Sequence, residues 1–314
     1  PEERENIENY CKEIQRVCNY FPRYNVVAQN NYNPDILHLN TKRFIKSITS
    51  NEKLQSVLLG SNFLYAGDSE NTPFYVHALT VNSYIQSAYK CTKGGSQISK
   101  LLINKLRKYG AEVHKHSEVT EFVFSDNNLL SSVKTKDENE YFSKQFISNI
   151  EIRSAIKLIG ENRIKKSFFF FFFSWEPTSS CFSVYLVLKP KSIGSFNYNV
   201  YHFLSKDLVW NSFKYKKEKW PETYMLSSTS SKHDPEFAES LTAISYMHFT
   251  EVKEWENTFN TIASQQDRNE LYKKFKFEKA EKMIQALEIK IPNLRESIKN
   301  IYTSSPLSYR DYIG

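Results

Sequence analysis

Residues 94–148, GGSQISKLLINKLRKYGAEVHKHSEVTEFVFSDNNLLSSVKTKDENEYFSKQFIS, decide the fold class. A glycine pair opens the stretch, and Ser96 stands where a cap begins a helix running through Tyr109. Ile98, Leu101, Leu102 and Leu106 recur at three- and four-residue spacing, which gathers them on one face. Gly110 supplies a left-handed stop of the kind that side chains with a Cβ resist. Short alternating runs follow at Ala111–His114, Val119–Phe124, Leu129–Thr135 and Glu140–Phe142, separated by turn chemistry at 125–128 and 136–139. Gln145–Ser148 reads as a buried strand. Helix, strand, β-meander and strand in this order predict an α/β chain of mixed α+β character, with the meander inserted in an α/β sheet.

Working outward, an amphipathic helix is expected over Glu2–Tyr20, where Ile7, Tyr10, Cys11, Ile14, Val17 and Cys18 repeat at helical spacing and Pro22 ends the run. Further helices are predicted at Thr41–Ser47, capped by Asn40 or Thr41, and at Lys53–Leu59. Thr72 caps a helix that starts with Pro73 and continues to Ala88. Downstream, a helix at Ile152–Ile159 precedes strands at Cys181–Leu188, Val200–Phe203, Thr223–Ser227 and Leu241–Phe249. A charged helix spans Asp267–Leu287. The six-phenylalanine tract Phe168–Phe173 fits a buried strand, a patch resting on a membrane, or a homopolymeric coding run; a period of this length does not choose.

The composition is that of an ordinary globular chain: 314 residues, 40% hydrophobic and 25% charged. The net charge of +7 comes from 42 Lys and Arg against 35 Asp and Glu, and the basic stretches at 214–219 and 273–282 are interleaved with Tyr, Phe and Glu. No concentrated basic stripe or recognisable module appears, so nucleic acid is not an expected partner. Cys11, Cys18, Cys91 and Cys181 form no CxxC pair, and a reducing, cytoplasmic compartment is expected. Cys11 and Cys18 share a helix face about 10 Å apart, too far to bridge, and are predicted to be core thiols. No signal peptide opens the sequence, and no apolar run approaches the roughly 20 residues a spanning helix needs.

The seven histidines fall in no HExxH motif, and His114 and His116, two apart on a predicted strand, have no carboxylate or thiol spaced to complete a metal site; metal is not expected. No GxSxG elbow, Walker loop or GxGxxG fingerprint occurs, which leaves hydrolase and NTPase readings without residue support. The pair Gly94-Gly95 before a helix permits close backbone approach of a ligand, although a tight entry turn with an N-cap is the commoner reason for such a pair.

Several segments resemble the carotenoid and retinoid oxidoreductase family, which includes phytoene desaturases, carotenoid isomerases and retinol saturases. They are Leu64-Tyr65-Ala66-Gly67, the Thr72-Pro73 helix, Tyr89 to Ile98 with its Lys93-Gly94-Gly95-Ser96 turn, Tyr109-Gly110-Ala111-Glu112-Val113, Ser117-Glu118-Val119, Phe146-Ile147-Ser148-Asn149, and Tyr302 to Gly314. The phenylalanine tract departs from the family's more mixed sequence. The resemblance implies an internal fragment carrying part of a Rossmann-like FAD/NAD(P)-binding domain, with the two glycine-rich flavin motifs outside it. Residues 1–92 would form the helical part of a substrate domain, 93–150 the middle of the FAD domain, 151–295 the mixed sheet and helices of the substrate domain, and 296–314 the return toward the FAD domain. It implies FAD as cofactor, approached by Val119, Gly94, Gly95 and Asn149, and Tyr65, Tyr75, Tyr84 and Tyr89 as lining for an apolar polyene lipid. No catalytic side chain carries over. The implied activity is desaturation, saturation or isomerisation of a carotenoid- or retinoid-like lipid, with peripheral membrane association; a non-catalytic lipid-binding or membrane-surface module is the alternative.

Overall fold

The computed structural model describes residues 3–21, 24–26, 34–91, 94–174, 179–261 and 265–313. The expected stop at Pro22, Lys93 of the glycine turn, and Gly314 lie outside them. The elements run α1 (Arg4–Cys18), α2 (Thr41–Ile48), α3 (Glu52–Leu58), α4 (Phe74–Gln86), α5 (Ser96–Lys108), β1 (Val119–Phe124), β2 (Leu130–Thr135), β3 (Glu140–Phe142), α6 (Ile152–Ile159) and α7 (Lys166–Phe173). They continue with β4 (Ser180–Leu188), β5 (Val200–Phe203), β6 (Thr223–Ser230), β7 (Ala238–Met247), α8 (Asn269–Glu288), α9 (Leu294–Ser297), β8 (Ile298–Ser304) and α10 (Pro306–Ile313). The mixed α+β class expected from the alternation of periods is what the chain adopts. Among the described residues two sheets form, both antiparallel, one of three strands in the order β1-β2-β3 and one of five in the order β5-β6-β7-β4-β8.

Two compact units share the chain. The first comprises residues 1–94, 179–248 and 273–304; the second comprises 95–178, 249–272 and 305–314. Residues 298–304 thus form β8 of the first unit, and α10 belongs to the second.

The first unit holds two apolar clusters. In one, the five-stranded sheet turns Phe182, Val184, Leu186 and Leu188 of β4, Leu226 of β6, and Leu241, Ala243 and Met247 of β7 toward Ala280, Met283, Ile284 and Leu287 of α8. Alternation along the strands selects that face, and the i, i+3, i+4, i+7 spacing on α8 matches it with a single apolar stripe. Lys279 extends the seam by placing its ammonium 4.7 Å from the centre of the Trp220 ring. The second cluster joins Tyr10, Ile14, Val17 and Cys18 of α1 to Ile45 of α2 and to Phe74 and Ala78 of α4. Asn40 caps α2 by accepting from the Arg43 amide at 3.0 Å, as its position foretells.

In the second unit, β1, β2 and β3 form the expected meander, with Glu121 to Val123 of β1 opposite Ser132 to Lys134 of β2, but as a separate three-stranded sheet among the described residues and not inserted in an α/β sheet. The segments 249–272 and 305–313 are tied by a buried ionic knot. Asp311, whose side chain is fully buried, takes hydrogen bonds from Arg268, from Arg310 at 2.6 Å and from the Asn260 amide at 3.0 Å. Burial alone would raise its carboxyl, but the donors, Arg310 foremost, outweigh that and hold it below the ordinary aspartate range.

Several expectations are corrected. Residues 111–114 and 145–148 are not strands: no partner strand lies beside either among the described residues, and Ile147 is 98% exposed. His114 and His116 therefore share no strand face; His116 takes a left-handed conformation and His114 meets Glu112 at 3.0 Å. Ser96 does not cap α5, whose N-cap is Gly95 without a side-chain bond. Thr72 does not cap α4 either, because its hydroxyl accepts from the Asp68 amide at 2.7 Å while its carbonyl accepts from Thr41. That helix stops at Gln86, short of Ala88. Cys11 is exposed and only Cys18 is a core thiol, its pKa pushed up to about 11 by burial. The phenylalanine tract is helix α7, and none of its rings is fully buried. The apolar stripe of α5 exists as read, but Ile98, Leu101, Leu102 and Leu106 on it are all exposed.

Replacing Ile284 by alanine removes a fully buried side chain at the seam between α8 and the sheet. The expected cost is about 2–5 kcal/mol, read as a lower midpoint in urea unfolding; a midpoint within error of the parent chain would show that this seam does not hold the first unit.

Candidate functional site

The site is built on α4. Its inward face is fixed by Phe74 and Ala78, both fully buried, and by His77, fully buried on the same helix. The outward side of the same helix carries Leu79, Thr80, Ser83 and Tyr84, which with Leu64, Ser87, Ala88 and Tyr89 line a mainly apolar cleft of about 550 Å³. That size lies in the range of about 300–1,000 Å³ used for small-molecule sites.

At one wall the Tyr84 hydroxyl lies 3.2 Å from that of Tyr201. Tyr201 is on β5, and the register places it in a row with Met225, Ile244, Ser183 and Ser304 across all five strands. This row belongs to the face opposite α8, because its neighbours Val200, Leu226, Ala243 and Val184 point into the core with α8. The next row on the outer face holds Ser227, Thr242, Tyr185 and Tyr302, the last two exposed. The hydroxyl pair therefore links the cleft to an aromatic, half-open sheet face. Burial, reinforced by the Tyr84 hydroxyl, pushes the Tyr201 phenol upward, so the Tyr201 hydroxyl stays protonated at neutral pH.

Beneath the cleft lies a closed polar network. His77 Nε2 is 2.7 Å from the Tyr10 hydroxyl and Nδ1 is 2.7 Å from the Tyr65 hydroxyl. Tyr65 donates to the Asn62 side-chain carbonyl, so its oxygen accepts from Nδ1–H and the free Nε2 accepts from Tyr10. His77 is thus a neutral imidazole protonated on Nδ1, and burial lowers its pKa to about 4. The neighbouring turn is locked by Tyr246, whose hydroxyl donates to the Phe63 carbonyl and accepts from the amide of Ala66 at 3.0 Å, with Ala66 in the left-handed region. A Cβ on Gly67 would stand 2.8 Å from Asn62 Cγ, which reserves that position for glycine.

Of the four tyrosines expected to line a lipid site, Tyr84 and Tyr89 do line the cleft. Tyr65 is turned into the His77 network, and Tyr75 stacks on Phe21 at 5.3 Å. The expected flavin-facing residues are dispersed in kind: Gly94 is in the left-handed region at the end of the first unit, Gly95 begins the second, Val119 opens β1, and Asn149 lies exposed in a segment without regular structure. Nothing stands within 4 Å of where a Cβ would be on Gly94 or Gly95, so their backbone is open to approach. None of these four positions lines the cleft. Tyr201, Met225, Ile244 and Leu79 escaped sequence reading; the alternation of Tyr185 with Val184 and Leu186 is the signal that points to an outward aromatic face.

A second cavity in the first unit, about 350 Å³, is lined by Lys42, Lys46, Glu52, Lys206, Asp207 and Trp210 among others. Two of its lysines have partners, Lys206 in Glu52 and Lys42 in Glu70 3.6 Å away. Among the described residues no group of three His, Cys, Asp or Glu side chains is placed to hold a metal ion, and no helix is long and apolar enough to cross a membrane.

No protein-family model matches the sequence, and no curated protein matches it. Among solved structures, the PF1083 protein from Pyrococcus furiosus has a similar fold, with a TM-score of 0.51 at 16% identity over 86% of this chain. A Rab GDI from Plasmodium falciparum is more distant, with a TM-score of 0.42 at 12% identity over 93% of this chain. The chain spans 59% of the length of the PF1083 chain and 57% of the Rab GDI chain.

The network makes a pH prediction with a definite sign. An unfolded histidine titrates near 6.5 and the folded His77 near 4, so the unfolded chain binds more protons in between. Stability should be level above pH 6.5 and fall as the pH drops toward 4, with His77→Gln flattening that stretch of the curve. Tyr10→Phe, which leaves Nε2 without a donor, should cost about 1–3 kcal/mol at neutral pH. Urea unfolding across this pH range checks both, and an unchanged slope in His77→Gln would contradict the assignment.

Proposed function

We propose that this chain is the lipid-holding and central portion of an FAD-dependent oxidoreductase acting on a carotenoid- or retinoid-like polyene. The observation that carries the reading is the apolar cleft along α4, joined through the Tyr84 and Tyr201 hydroxyls to the aromatic outer face of the sheet. An extended conjugated hydrocarbon needs a long apolar surface with few polar partners, and aromatic rings supply that surface at low conformational cost. Leu64 and Leu79 give the cleft its apolar walls, and the hydroxyl pair offers one fixed polar contact for a terminal oxygen of such a lipid.

The flavin, when bound, supplies hydride transfer; the protein's share is to hold the polyene in place and exclude water. The open backbone at Gly94 and Gly95 and the uncovered apolar stripe of α5 support a place beside a larger nucleotide-binding domain. No chemical step is assigned to this chain's own residues. The second reading, a lipid-binding module without redox chemistry, draws on the same cleft, which lies wholly within the first unit.

Titration with all-trans-retinol, followed by retinol fluorescence, tests the shared part of both readings. Saturable binding is expected, weakened about tenfold or more by Leu79→Glu, which puts a carboxylate into an apolar wall. Absence of saturable binding would defeat both. Flavin absorbance of the protein produced from the complete reading frame then separates them: yellow protein supports the oxidoreductase, and colourless protein that still binds retinol supports the module.

A further inference from the structure

The six phenylalanines take no part in the cleft. On α7 they divide into two faces. Phe169, Phe172 and Phe173 are half-buried, with Phe169 stacked on Phe173 at 4.3 Å, while Phe168, Phe170 and Phe171 are 48, 66 and 52% exposed. At 100° per residue the exposed three occupy one side of the helix, with Ser167 between them and Lys166 at their edge. Lys165 and Lys166 are exposed at the N-terminal end of α7, Arg163 precedes them, and no carboxylate occurs between Glu161 and Glu176. Arg163 is drawn over the Phe124 ring at 4.5 Å and Arg153 lies over the Phe173 ring at 5.9 Å, and Lys165 and Lys166 are the cations at the N-terminal end of α7.

We propose that α7 seats the chain on an anionic membrane surface, with Phe168, Phe170 and Phe171 entering the boundary between headgroups and acyl chains and Lys165 and Lys166 meeting lipid phosphates. Eight residues are far too few to span a bilayer, which needs about 20. A short helix with aromatic rings on one side and cations at its end has the chemistry of an element lying in the interface. The charge favours an anionic surface over a second copy, because a second α7 would present the same lysines and carries no carboxylate of its own to meet them. The proposal assigns a specific element to the peripheral membrane association that the family resemblance implies, and its test uses neither the cleft nor a flavin.

Co-sedimentation of the full chain with phosphatidylcholine vesicles, with and without phosphatidylserine, tests it. Binding should rise with phosphatidylserine and fall with added salt. The double substitution Phe170→Ser, Phe171→Ser should weaken partitioning about tenfold or more, and Lys165→Gln, Lys166→Gln should remove the phosphatidylserine dependence. Circular dichroism checks the fold of each variant; should the phenylalanine changes disturb the helix, the lysine variant decides alone. Retinol fluorescence should be unchanged in both variants, so that failure here is distinct from failure of the cleft. Wild-type protein that ignores both vesicle types, variants that bind like the parent, or self-association in place of vesicle binding would each overturn the proposal.

Discussion

The first unit depends on the packing of one face of a five-stranded antiparallel sheet against one stripe of α8. Once Phe182, Val184, Leu186, Leu241 and Met247 are committed to Met283, Ile284 and Leu287, the two-residue period of the strands leaves no choice for the residues between them. Tyr201, Met225, Ile244 and Tyr185 must face the other way. A slip of one residue in any strand would exchange the two sets, burying hydroxyls against α8 and exposing the core. The aromatic outer face is therefore a consequence of the core, and the cleft on α4 is tied to it at Tyr84 and Tyr201.

The position of α4 is in turn held from beneath. A neutral His77 satisfied at both ring nitrogens by Tyr10 and Tyr65 couples α1, α4 and the turn at 62–67 in one chain of hydrogen bonds. Such a network is stabilising only while every member is paired. The same requirement explains why Tyr65 serves the scaffold and not the cleft, although its sequence neighbourhood suggested a lining residue.

Strands β4 to β7 and most of the helices were legible because each carries a clear period and a nearby turn or cap. Residues 111–114 and 145–148 were misread for one physical reason: a strand needs a ladder partner, and hydropathy does not reveal whether one is present. The phenylalanine tract was ambiguous because six identical apolar residues have no period, and the structure resolves it as a helix with one face exposed. At the site, Tyr84 and Tyr89 were legible from their place on and after α4. Tyr201 was not, because its contribution comes from a register across five strands that no local pattern contains. The exposed stripe of α5 is the reverse case, a correct local pattern without a described partner for its apolar side.

The claim that joins these observations is that an extended apolar ligand lies along α4 and the outer face of the sheet. A photo-activatable retinoid, cross-linked to the full chain and mapped by mass spectrometry, addresses it directly. Labels concentrated on Leu79, Tyr84, Tyr89 and Tyr201, and competed away by unlabelled retinol, are the predicted result. Competable labels confined to other parts of the chain, or labels on those four residues that excess retinol fails to displace, would contradict it.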